Sequence, residues 1–299
     1  MHMTPQAVAP RPQMLASLNT ILESLHSTDR VGWNRVVFSA HSYGTFIAGW
    51  IVRNCVASTS GDSDDEDPLI DKIAHLVLVD PIPILLSNPS VAHNFLYREP
   101  WTTTTTTSTS SRCFPSYSAA SSWQLWYFAS RDADVARTLC RSFFWSEGGM
   151  WKEEVTAFLR RRLGTGSETG NVKSSMTTYH DEVDDASSSS TGTALQTQAS
   201  MNQRRRKMAV ILGGSDQIIP TEAIRRYLTN EETWKTRWVG RVVDDSCLEV
   251  QTGGEEEEDW EETGQLEVLY DPKLDHAKIF DDKQDMIPLL EVVRRYVRD

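Results

Sequence analysis

The sequence has no HExxH, no CxxC and no glycine-rich phosphate loop. It therefore offers no zinc-protease helix, no paired-cysteine metal or redox motif and no nucleotide cradle, and neither a metal nor a cofactor is expected. Its four cysteines, Cys55, Cys113, Cys140 and Cys247, are too scattered for a disulfide framework, which points to a reducing compartment. No run approaches the roughly 18 apolar residues of a membrane span, and the opening MHMTPQAVAPRPQ lacks the apolar centre of a secretory signal. The expectation is a soluble, cytoplasmic chain. Basic charge is scarce too: 30 Lys and Arg against 42 Asp and Glu leave a net charge of -12, which argues against nucleic acid or an anionic membrane as partner. The longest basic run, Arg204 to Lys207, precedes an apolar stretch and reads as the flank of a strand.

A hydrophobic content of 39% is low for 299 residues because several segments cannot support a core. Residues 102–111 (TTTTTTSTSS), the Ser, Thr and Gly-rich stretch from 164 to about 203, and the acidic 253–264 hold too few apolar groups to offset ordering entropy, and are expected to be disordered. Between them the pattern is that of alternating helices and strands. A helix is predicted over 12–25, a strand over 35–39, a helix over 45–56, and a fully apolar strand in IAHLVLVDPIP ending at Asp80. Later come a strand in KMAVILGG, a helix over 221–228, a strand in LEVLYD and an amphipathic helix over 286–297. This order specifies an α/β fold with a mostly parallel sheet. The organisation read from it is a core over 12–99, a low-complexity linker over 100–121, a helical cap over 122–163, a disordered linker over 164–207 and a second core part over 208–299. The cap segment is dense in aromatics, among them Trp123, Trp126, Tyr127, Phe128, Trp145 and Trp151, which at helical spacing are expected to pack it onto the body.

Residues 40–44, A-H-S-Y-G, fit the small-x-Ser-x-Gly pattern of a nucleophile elbow, a sharp strand-to-helix turn that displays the serine above the sheet. Ala40 stands where Gly is more usual. A serine hydroxyl needs a base to take its proton, and the base needs an acid to fix its tautomer. Of seven histidines only His276 lies beyond residue 180, just after the last strand. Two acids compete for the third role. Asp216 follows a strand in the flexible turn LGGSDQ and is preferred; Asp80, before Pro81, is the substitute and is otherwise expected to order its own turn. The backbone N–H of Tyr43 is the candidate oxyanion donor, and His41 reads as a packing or supporting residue.

With Ser42, Asp216 and His276 in this order, and with the blocks DPIPILLSNPSVAHNFLYREP, WQLWYFASRDADVARTL, FFWSE and LDHAKIFD, the chain resembles the α/β-hydrolases, in particular a group of largely uncharacterised fungal and algal members. The blocks cover about half the chain. The resemblance implies an α/β-hydrolase fold and a serine-hydrolase site; Ser42 argues against the epoxide hydrolases and haloalkane dehalogenases of that fold, whose nucleophile is Asp. The expected activity is hydrolysis of a carboxylic ester with an apolar, lipid-like acyl group, with amide, thioester and lactone substrates and acyl transfer left open. One departure bears on this. The family builds several strands before its elbow, whereas one helix and one strand precede Ser42 here, so the first half of the sheet and the second oxyanion donor are expected to be missing, as in a truncated gene product. The alternative reading is a catalytically inactive binding or scaffold protein, or a fragment, and the oligomeric state is left unknown.

Overall fold

The computed structural model describes residues 9–28, 35–57, 68–100, 117–142, 145, 147–161, 163, 205–229, 236–241, 248–252 and 265–298. The linkers at 102–111 and 164–203 and the acidic insert at 253–264 lie outside them, as do Cys113 and Cys247. Strands β1 (Val36–His41), β2 (Ile73–Val79), β3 (Lys207–Gly213), β4 (Thr236–Arg241), β5 (Leu248–Thr252) and β6 (Gln265–Asp271) form one sheet in the order β1-β2-β3-β6-β4-β5. Every neighbouring pair is parallel except β4 and β5, which are antiparallel. The chain thus forms a sheet of the general α/β class. The antiparallel excursion through β4 and β5 was absent from the sequence reading, as was the short helix Pro68–Lys72 that leads into β2.

Alternation along the strands sends side chains to two layers. Leu76, Leu78, Val210, Leu212, Leu266 and Val268 join a large core under the helices α1 (Arg11–Thr28) and α2 (Thr45–Ala57). Val77, Val79, Ala209, Ile211 and Leu269 face the other way, against Leu289, Val292 and Tyr296 of the C-terminal helix Ile287–Arg298. Burial on both faces is why β2 and β3 read as unbroken apolar runs rather than alternating ones. Arg206 leads into β3 but is itself fully buried. Its guanidinium donates to the carbonyls of Ile70 (2.9 Å) and Ile73, satisfying a helix end and the start of β2, and burial pulls its pKa down to about 10.

The aromatic segment departs from the sequence reading in two ways. Its last part is body, not cap: Val155, Phe158 and Leu159 of the helix Lys152–Arg160, spaced i, i+3, i+4, are buried in the main core, and Met150 bridges to Ile84. Arg53 of α2 fastens this part by an ion pair to Glu154 at 2.9 Å. The remainder, residues 117–142, is helical and lies apart from the sheet, and its aromatics do not all face inward. Ser122, Leu125, Trp126 and Ser130 form the turned-in stripe, which leaves Trp123, Tyr127 and Phe128 on the outer face at 48%, 66% and 72% exposure. Helical periodicity divides so dense a run of aromatics between two faces, and only one can touch the body.

Candidate active site

β1 ends at His41, and Ser42 opens a tight turn, Ser42–Gly44, that runs into α2. Ser42 has φ of 49°, a left-handed conformation costly for a residue with a Cβ. A Cβ built on Gly44 would stand 3.8 Å from the Ala40 Cβ, an ordinary contact, so Ala40 is accommodated without strain. The Tyr43 N–H belongs to the first turn of this helical segment, where backbone donors face away from intrahelical acceptors and favour negative charge. Thr45, buried, donates to the Ser42 carbonyl and accepts from the Ile82 N–H at 3.2 Å, which ties the elbow to the segment after β2.

The Ser42 Oγ lies 2.8 Å from His276 Nε2, and His276 Nδ1 lies 2.7 Å from Asp216 Oδ2. With its proton on Nδ1 and donated to Asp216, the imidazole presents Nε2 as acceptor for the serine hydroxyl. Asp216 has no exposed side-chain surface and its Oδ1 accepts the backbone N–H of Ile218 and Ile219 at 2.7 and 3.1 Å. Burial raises its pKa, opposed by the His276 hydrogen bond. For His276, burial acts to lower the pKa, and the hydrogen bond and charge of Asp216 with the charges of Asp80 and Asp275 outweigh it, leaving the value above the ordinary 6.5.

Asp80 is brought to the same place in a different role. It has φ of 45° and is buried; Oδ2 accepts the Ala277 N–H at 2.8 Å, Oδ1 accepts the Gly213 N–H at 3.3 Å, and His41 Nε2 stands 3.6 Å away. It therefore does more than order the turn before Pro81: it joins the ends of β2 and β3 to the histidine loop. The glycines at the end of β3 are needed for room against that loop. A Cβ on Gly213 would come within 2.6 Å of the Leu274 carbonyl, and one on Gly214 within 2.5 Å of Pro272 Cα. His41 packs its ring against His276 and Phe280 at centroid distances of 5.2 and 5.0 Å. His41, Asp80 and His276 are close enough to one another to resemble a metal-ligand set, but the His276 nitrogens are already engaged by Ser42 and Asp216.

Two polar residues of the site were missed by the sequence reading. Asp275 Oδ1 accepts the His276 N–H at 2.7 Å and the Gln217 N–H at 3.1 Å, and its Oδ2 accepts the Gln217 amide at 3.0 Å. Gln217 Oε1 in turn accepts from Arg98 and from Ser122 of the helical segment, both at 2.9 Å. Their adjacency to Asp216 and His276 in sequence was the available signal. Of the four non-glycine residues with positive φ among those described, three, Ser42, Asp80 and Ala277, lie within this cluster.

Beside Ser42 opens a cavity of about 420 Å³. Its walls are Ile82, Val91, Phe95, Leu96 and Ile218 from the body side, Val135 and Leu139 from the helical segment and Trp145 from the turn after it, with Asp134 and Thr138 as the polar residues beyond Ser42 and Tyr43. Among the described residues no helix is long and apolar enough to cross a membrane. No protein-family model, no curated protein and no solved structure matches this chain.

Proposed function

We propose that this chain is a serine hydrolase of the α/β-hydrolase type that cleaves carboxylic esters of apolar acids through an acyl-enzyme. The observation that carries the reading is the continuous hydrogen-bonded line from Ser42 Oγ through His276 to Asp216, with contacts of 2.8 and 2.7 Å. Ser42 attacks the ester carbonyl as His276 Nε2 takes its proton. The negative charge that develops on the carbonyl oxygen is held by the Tyr43 N–H, and Asp216 stabilises the imidazolium. His276 then returns the proton to the departing alcohol. A water molecule, deprotonated by the same nitrogen, releases the acid and restores Ser42. Support for an apolar acyl group comes from the cavity beside Ser42, whose walls are predominantly aliphatic and aromatic.

A second reading, a non-catalytic binding or scaffold protein of the same architecture, is favoured by one observation. β1 is the edge of the sheet, so among the described residues no strand lies beyond it to carry a second oxyanion donor; the loss of one donor lowers turnover by about 10²–10³. Incubation of the purified chain and its Ser42→Ala variant with a fluorophosphonate, followed by mass spectrometry, separates the two. An adduct on Ser42 that the variant lacks is the expected result; a folded chain that takes up no probe overturns the hydrolase reading.

A further inference from the structure

The cavity has a definite size and one charged residue in its wall, and together these narrow the substrate. A dry cavity of about 150 Å³ holds one benzene, which sets about 25 Å³ per carbon. At that ratio 420 Å³ holds about 17 carbon-sized groups, fewer once the ester carbonyl and the first atoms of the alcohol share the space and a chain fills a bent volume imperfectly. The roof is a helical stretch whose spacing gives it two rows. Val135 and Leu139 form an apolar row and Asp134 and Thr138, also four apart, a polar one, all lining the cavity. Trp145 closes the apolar side with its indole N–H donated to the Leu139 carbonyl at 3.0 Å, which fixes the ring as wall and leaves it no polar group to offer a ligand. Asp134 is exposed and has no ion-pair partner among the described residues, so its negative charge faces whatever occupies the opening. The chain as a whole carries a net charge of -12, which adds to the same sign.

We infer that the site takes esters of medium-chain fatty acids, of about eight to twelve carbons, with a non-anionic alcohol, and that Asp134 disfavours anionic head groups such as phosphate. This rests on the hydrolase reading for the reaction but not for the binding. Each methylene accommodated adds about fourfold in affinity until the cavity is full. Beyond that the added methylenes extend through the mouth of the cavity into water and the gain stops. A carboxylate near the opening weakens an anionic ligand by about fivefold relative to its neutral counterpart at solvent-like screening.

The test uses the full-length Ser42→Ala chain, which binds esters without cleaving them. Displacement of Nile red is read with 1-monoacylglycerols of four to eighteen carbons, below micelle-forming concentrations, and with lysophosphatidic acids of matched length. Affinity is expected to climb to a maximum at eight to twelve carbons, the phosphate series to bind about fivefold more weakly, and Asp134→Asn to remove that difference. Val135→Trp is expected to move the maximum to shorter chains. Affinity independent of length, affinity still rising at eighteen carbons, or equal binding of the two series overturns the inference. A length maximum without a Ser42 adduct in the unmodified chain leaves this specificity standing and overturns hydrolysis; an adduct with length-independent binding overturns the specificity alone.

Discussion

Asp80 and Asp216 follow adjacent parallel strands, β2 and β3, and both carboxylates are buried within reach of the His276 loop, yet they are used in opposite ways. Asp216 spends one oxygen on the imidazole and the other on the backbone that holds it. Asp80 spends both on backbone N–H groups, of Gly213 and Ala277, and meets His276 only through its charge. The lesson is that position at a strand end is not enough to assign the acid partner of a histidine; what decides is whether the carboxylate oxygens accept from the imidazole or only from backbone amides.

The sharpest way to break the contrast is Asp216→Asn, which removes the anion that orients and stabilises the imidazolium. Labelling of Ser42 by a fluorophosphonate is expected to slow by about 10⁴, with a loss of stability in urea as well, because the Ile218 and Ile219 N–H groups lose a charged acceptor. Asp80→Asn should affect stability more than labelling. It is expected to cost about 1–3 kcal/mol of stability in urea, since two buried donors lose a charged acceptor, while retaining at least a hundredfold (~10²) more labelling than Asp216→Asn. The pH profile refines this further. The base must be neutral to act, and His276 titrates above 6.5 in part because of the Asp80 charge. Labelling therefore falls on acidification with a midpoint above that value, and Asp80→Asn moves the midpoint to lower pH; an unmoved midpoint would mean the two groups do not sense each other. The smallest effect on labelling is expected for Gln217→Ala, which frees Asp275 from one partner and removes the acceptor shared by Arg98 and Ser122; it should cost about 1–3 kcal/mol with labelling near that of the unmodified chain.

Much of the sheet was legible because strands buried on both faces leave unbroken apolar runs, as in β2 and β3, with β1 and β6 placed within a residue or two. The strand-to-helix turn at Ser42 was legible because its signal is local: a strand end, a serine and a small residue two positions to either side. What escaped depends on which strands become neighbours. The bridging role of Asp80 exists only because β2 lies against β3, residues about 130 positions apart in sequence being brought side by side. The roles of Asp275 and Gln217 likewise require the turn after β3 to meet the loop after β6. The division of 122–163 into cap and body had a readable sign, the i, i+3, i+4 stripe of Val155, Phe158 and Leu159, but the density of aromatics on either side of it obscured the change.

Ser42 and His276 come from opposite halves of the chain, and the halves are joined by the pairing of β2 with β3. On the proposed hydrolase reading, reactivity at Ser42 is a property of the finished tertiary structure: the histidine loop must have been synthesised, and the sheet must have closed, before the serine meets His276. On that reading, an activity-based probe would count correctly assembled molecules in a cell extract, and would stay silent on misfolded ones of the same mass.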